Sequence, residues 1–281
     1  MQIFFPATLV ELWKLFEQYP AGRIMAGGTD LLVRLRKSGD KPSALFCLER
    51  LTELQQITQE QDDIFIGADV TIQQLVEHET IERHLRALWD AVIVFASPPI
   101  RHSATLGGNL CTASPAGDTL APLYVFGAVV VVASPRGLRR IPIADFILGP
   151  GSTVLQPGEI VAGVSIPLPA ESVQSHYYKV GKRQALAIAV VSLAVLLEIG
   201  QDNKVNQIKL AWGSVGKTIT ILPELEAFLT GKVLTEDILR QAADLAANGV
   251  GPIDDVRAGA AYRRQVSGNL LLALSSHLPA R

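Results

Sequence analysis

The chain has 281 residues, 48% of them hydrophobic, with a formal net charge of −2 and a mean hydropathy of +0.28. That length exceeds one typical domain and the apolar share can fill a large core, so two or three substructures are expected. The near-neutral balance, with no long basic run, excludes nucleic acid as a partner.

In chain order, Gln2 to Phe5 reads as a strand, and Thr8-x-x-Glu11 is a capping box opening a helix with Leu9, Leu12, Trp13, Leu15 and Phe16 at helical spacing. The start MQIFFPATLVELW carries no basic segment and no small-residue cleavage site, so no signal peptide is expected. After Tyr19-Pro20, the stretch from Ile24 to Arg36 reads as a short strand, a tight turn through Gly27 and Gly28, and a helix with Thr29 or Asp30 as N-cap. Backbone N–H groups at such a turn lie beside the positive end of the helix dipole and suit an anion, most often a phosphate. The alternative is a turn whose glycines serve geometry alone.

Ala44 to Leu48 is a further strand, in which Cys47 is expected as a small core residue. Asp63 to Ala68 forms another, leading to Thr71 as a predicted N-cap. Glu79 to Phe95 is predicted as one amphipathic scaffold helix, ended by Ala96-Ser97-Pro98-Pro99. A second glycine pair follows, in the predicted loop Thr105-Leu106-Gly107-Gly108-Asn109-Leu110. Cys111 beyond it is expected chiefly to fill space, with a place near a ligand as the alternative. In Ser114-Pro115-Ala116-Gly117-Asp118, Asp118 either caps the next segment or bonds ligand hydroxyls. Two hydroxyl-and-Gly-Gly turns suggest a ligand with more than one phosphate.

Ala128 to Ala133 and Arg140 to Ile143 form a hairpin through Arg136-Gly137, and Ile160 to Ile166 is a strand. Pro167-Leu168-Pro169-Ala170 looks like a boundary. Beyond it His176–Val180, Ala187–Ile199 and Gln207–Ser214 read as an antiparallel sheet. Three helices complete the chain, Leu222–Thr230 with Gly231 as C′, Thr235–Asn248 with Gly249 as C′, and Ala258–Ser276. The longest apolar run, Ala185–Leu197, falls short of the roughly 18–20 residues of a membrane span, and the cytoplasm is the expected location. With two separated cysteines and no i,i+4 histidine pair, no metal site is expected.

Taken together, these motifs resemble the FAD-binding (medium) subunit of the molybdenum hydroxylases, the family of xanthine and carbon monoxide dehydrogenases. The resemblance runs from Gln2 to about Leu274. It rests on Ala26-Gly27-Gly28-Thr29-Asp30-Leu31, Ala104-Thr105-Leu106-Gly107-Gly108-Asn109 and Ile66-Gly67-Ala68-x-x-Thr71. Pro252-Ile253-Asp254-Asp255-x-Arg257 and Ala261-Tyr262-Arg263-Arg264 add to it. The chain departs from the family at Pro99-Ile100-Arg101-His102, at Ala187 and at Lys217-Thr218-Ile219-Thr220. The resemblance implies an α+β fold: a two-lobed FAD-binding domain of vanillyl-alcohol-oxidase type at 1–168 (lobes 1–55 and 56–168), then a C-terminal domain of antiparallel strands and helices at 169–281.

It further implies non-covalent FAD, with the diphosphate on backbone N–H groups of Ala26 to Asp30 and Leu106 to Asn109. The implied cofactor-binding residues are Ile24, Met25, Ala26, Gly27, Gly28, Thr29, Asp30, Leu31, Thr105, Leu106, Gly107, Gly108 and Asn109, with Thr112, Ser114, Asp118 and Lys179 toward the ribityl and ring end. Lys179 has a second reading as a surface-strand lysine. No residue of this chain is expected to be catalytic. The implied partners are an iron–sulfur subunit with two [2Fe–2S] clusters and a molybdopterin-binding subunit, with NAD⁺, oxygen or quinone as acceptor. Two other readings stand beside this one, a free-standing FAD-dependent oxidoreductase and an assembly module without cofactor.

Overall fold

The computed structural model describes residues 1–277, so the last four residues of the expected C-terminal span lie outside the described residues. The chain divides into two compact units, neither continuous in sequence. One comprises Met1–Glu77, Ser97–Ala113 and Gly127–Pro167, and the other His78–Ala96, Ser114–Phe126 and the chain from Leu168 onward.

The first unit holds a three-stranded parallel sheet with Ala44–Cys47 between Gln2–Phe4 and Arg23–Met25. The helix Leu9–Gln18 opens with half of the predicted capping box: Thr8 Oγ1 accepts from Glu11 N at 3.2 Å, but the Glu11 carboxylate accepts from Ala7 N at 2.9 Å rather than from Thr8 N. Its apolar face brings Leu12 and Phe16 to the buried Phe46, the two aromatic rings meeting edge-on at 5.3 Å. Each fully buried Leu or Phe of this core contributes roughly 1.5–3 kcal/mol.

A five-stranded antiparallel sheet completes that unit, in the order Ile57–Glu60, Asp63–Gly67, Ile160–Pro167, Val129–Ser134, Gly137–Pro142. The strand Ile57–Glu60 is polar and exposed over most of its length, which is why hydropathy gave no sign of it. Thr71 caps the helix Ile72–Val76 in a reciprocal box with Gln74.

The second unit is built on a four-stranded antiparallel sheet of Val173–Val180, Val191–Ile199, Val205–Gly213 and Thr220–Ile221. The helices Pro223–Leu229, Glu236–Gly249 and Ala260–Leu272 contribute Leu225, Leu239, Ala242 and Leu271 to one core with Leu193, Leu210 and the fully buried Trp212. Residues 187–190, expected in the second strand, precede it. Gly249 is the last helical residue rather than the residue after the helix.

The predicted helix Glu79–Phe95 is two helices, Glu79–His84 and Arg86–Ile93, broken at Leu85 (φ −115°, ψ 49°). Ala87 N, in the first turn of the second, donates to Ser175 Oγ at 3.1 Å, a side-chain cap from a distant strand. The Pro252–Arg264 motif is a structural clasp. Asp255 accepts from Arg257 N at 2.7 Å and from the buried Arg263 guanidinium, which also donates to Ser214 O at 2.7 Å. Burial acts to raise the Asp255 pKa, and these hydrogen bonds with that of Ala258 N outweigh it, bringing it down to about 2. No helix among the described residues is long and apolar enough to cross a membrane.

Candidate functional site

The first glycine pair lies where the strand Arg23–Met25 hands over to the helix Leu31–Ser38. Gly28 has φ +68°, in the left-handed region, and Gly27 approaches the preceding segment of the second glycine motif so closely that a Cβ would overlap the Ser103 carbonyl. The consequence is a row of donors. Among the described residues, the N–H groups of Gly27, Gly28, Thr29, Asp30 and Leu31 have no acceptor in the chain. All five residues are half-buried. A left-handed glycine inside consecutive unbonded N–H groups, at the N-terminus of an eight-residue helix, is the geometry of an anion cradle.

Asp30 occupies the N-cap position without capping. Its backbone is already helical (φ −105°, ψ −46°), so its side chain cannot turn back onto the first helical N–H groups. Instead its carboxylate takes Arg34 Nε at 2.8 Å and Thr112 Oγ1 at 3.2 Å. That bond brings Thr112 to the first turn. A groove of about 530 Å³ runs along the same helix, lined by Arg23, Arg34, Lys37 and Asp40, and its excess of cations adds to the positive potential there.

The second pair is a correction to the loop expectation. Leu106–Thr112 is a helix with Thr105 as N-cap, and Gly107 and Gly108 lie in its first turn. Its N-terminal donors are already bonded: Leu106 N to Val70 O at 3.0 Å, Gly107 N to Ala68 O at 2.8 Å, Gly108 N to Thr105 Oγ1 at 3.1 Å, and Asn109 N to Thr105 O at 3.0 Å. The four N–H groups of Leu106–Asn109, expected to face a diphosphate, are thus bonded within the chain, unlike those of the first pair. Gly107 is required by packing, since a Cβ would lie 2.6 Å from Ala68 Cβ and 2.7 Å from Ala68 O. The Ile66-Gly67-Ala68-x-x-Thr71 motif thus supplies the seat of the second turn, while Ser103 and Ala104 press on the first. Cys111 is exposed on this helix and does not fill a core space.

In the second unit, Ser114 Oγ accepts from Ala116 N at 3.3 Å, closing a local turn, and Ser214 N donates to Pro115 O at 2.8 Å. Asp118 does not cap the helix Leu120–Val125, whose N-cap is Thr119. It is buried, with Oδ1 accepting from Tyr177 OH at 2.9 Å and Oδ2 paired with Lys179 Nζ at 2.7 Å. Lys179 Nζ also donates to Val94 O at 3.2 Å, and its side chain is 10% exposed, which removes the surface-lysine reading. Burial raises the Asp118 pKa, opposed by the Lys179 charge and by the hydrogen bonds from Lys179 and Tyr177. Tyr177 went unseen in sequence. The only signal was its position two residues before Lys179 on a strand, which puts both side chains on one face.

The family description "FAD binding domain in molybdopterin dehydrogenase" matches residues 1–169, and "CO dehydrogenase flavoprotein C-terminal domain" matches residues 176–277. The chain is 32% identical over 271 residues to the nicotinate dehydrogenase FAD-subunit of Eubacterium barkeri, covering 94% of this chain and 91% of that protein. It is 31% identical to the xanthine dehydrogenase FAD-binding subunit of Escherichia coli O157:H7, covering 92% and 88%. Among solved structures, a carbon monoxide dehydrogenase from Hydrogenophaga pseudoflava superposes with a TM-score of 0.92 at 27% identity, covering 97% of this chain and 95% of that one. With a family match over more than half its length and relatives above 30% identity along nearly all of it, the chain belongs to the FAD-binding subunits of the molybdenum hydroxylases, flavoproteins of the xanthine and carbon monoxide dehydrogenase type.

Proposed function

We propose that this chain is the electron-transfer subunit of a molybdenum-containing hydroxylase, working with an iron–sulfur subunit and a molybdopterin-binding subunit. The proposal keeps residues 1–168 as the FAD-binding domain and 169–281 as the C-terminal domain. Ile24 to Leu31 would hold FAD, which would supply the redox chemistry linking the [2Fe–2S] clusters of the partner, and through them the molybdenum centre, to NAD⁺, oxygen or quinone as acceptor.

The observation that carries the reading is the run of five unbonded N–H groups from Gly27 to Leu31. A diphosphate offers the acceptors such a row lacks, and the helix dipole favours its charge. Within this proposal Ile24 to Leu31 hold the diphosphate. Thr105 to Asn109 and Thr112 shape that turn through packing and the bond to Asp30. Ser114, Asp118 and Lys179 serve the ribityl and ring end. None of these residues exchanges a proton with the substrate that is hydroxylated.

The test is the absorbance spectrum of the purified chain, followed by acid release of any chromophore. Flavin bands with intact FAD released are the expected result. A colourless chain that also refuses added FAD would overturn the reading.

A further inference from the structure

Asp118 has both carboxylate oxygens engaged, Oδ1 by Tyr177 and Oδ2 by Lys179. Lys179 has three N–H donors, of which Asp118 and Val94 O take two, leaving one to point elsewhere. Tyr177 is 8% exposed and shares its strand face with Lys179. A phenol has one proton to give, and here it goes to Asp118. Both bonds run to the carboxylate: Tyr177 to Asp118 and Lys179 to Asp118.

We propose that Tyr177 is a positioning residue for the flavin: its O–H fixes the Asp118 carboxylate so that Oδ2 holds the Lys179 ammonium in one direction, with its remaining N–H presented to the bound ring system. The role rests on the flavin reading above. A carboxylate held at one oxygen only is free to turn about its terminal torsion, which is broad and roughly two-fold, and the ammonium bound to it turns with it. A phenol and a carboxylate buried together are tolerated because each satisfies the other. A space-filling role for residue 177 needs only the ring. The hydroxyl is what phenylalanine removes.

The experiment is spectroelectrochemistry on the FAD-loaded full chain, comparing Tyr177→Phe, Asp118→Asn and the double variant. A fixed cation favours the more electron-rich, reduced cofactor, so Tyr177→Phe retains FAD and its potential becomes more negative. A tenfold loss of that preference reads as about 30 mV for a two-electron couple. In the Asp118→Asn background the further effect of Tyr177→Phe disappears, because the phenol acts only through that carboxylate. An unchanged potential with FAD retained overturns the proposal, as does a shift that persists in the Asp118→Asn background. Should Tyr177→Phe fail to fold, Asp118→Asn alone carries the test, since the phenol acts only through that carboxylate, and a potential unmoved by it overturns the proposal equally. A wild-type chain that takes up no FAD overturns the flavin reading itself, a result obtained before any variant is made.

Discussion

The two glycine pairs are alike in sequence and opposite in use. At Gly27-Gly28 the backbone turns through a left-handed residue, and five consecutive N–H groups find no acceptor among the described residues. At Gly107-Gly108 the backbone is helical from Leu106 onward, and Ala68, Val70 and Thr105 accept every donor from Leu106 to Asn109. The difference follows from what precedes each pair. Thr105 is extended and its hydroxyl reaches back onto the first turn, as an N-cap does, whereas Asp30 is already helical and its carboxylate goes to Arg34 and Thr112. In this chain a Gly-Gly dipeptide before a helix marks close packing in both places, and its donors stay unbonded among the described residues where the side-chain cap is missing.

The largest effect expected from breaking this contrast is at Gly27. Gly27→Ala forces a methyl group into the Ser103 carbonyl, which is backbone and cannot swing aside. The cost lies at or above the top of the usual overpacking range of about 1–3 kcal/mol. Urea unfolding should show it as a lower midpoint, with FAD uptake lost alongside. A variant as stable as wild type would show that the two glycine segments do not meet as described.

Next in size is Gly28→Ala. The left-handed conformation costs a residue with a Cβ about 1–2 kcal/mol. The neighbours of that Cβ are the ends of flexible side chains, Leu32 Cδ1 at 3.1 Å and Met25 Sδ at 3.3 Å, and these can give way. Stability should therefore fall less than at Gly27, while FAD affinity falls at least tenfold, about 1.4 kcal/mol, because the orientation of the donor row depends on this residue. Flavin fluorescence titration separates the two. Weaker folding with unchanged affinity would remove the donor row from the binding site.

What could be read in the sequence was what is local. The Thr8 and Thr71 caps need only a residue three positions away, and both form, the Thr8 cap without its reciprocal bond. The unbonded first turn was legible because glycine geometry and the helix start are neighbours in sequence. What escaped depends on distant partners. The break at Leu85 goes with a cap on Ala87 N from Ser175, 88 residues beyond Ala87. Asp118 reads equally as a cap until Tyr177 and Lys179, 59 and 61 residues away, are seen on it. Composition says nothing of such pairs, and alternation along the strand Val173–Val180 says only that residues 177 and 179 share a face. The same limit explains the second glycine pair: its motif was visible, but two of its donors, Leu106 N and Gly107 N, belong to carbonyls of Val70 and Ala68, which no spacing rule connects to it.

The smallest expected effect is the sharpest test of the contrast. Gly108→Ala places a methyl 2.9 Å from Thr105 Oγ1, its only near neighbour, at a position with ordinary helical backbone. Crowding the hydroxyl weakens a cap worth about 1 kcal/mol, and alanine returns roughly 0.5–1 kcal/mol of helical preference over glycine. The two nearly cancel, so the unfolding midpoint should stay close to wild type. FAD affinity should stay within about twofold, since none of the second turn's donors is available to the cofactor. A tenfold loss of affinity at unchanged stability would mean that the diphosphate displaces the Thr105 hydroxyl and takes Gly108 N–H for itself. The second turn would then be a cradle that its own cap keeps closed until the ligand arrives, and the two glycine pairs would differ in timing rather than in use.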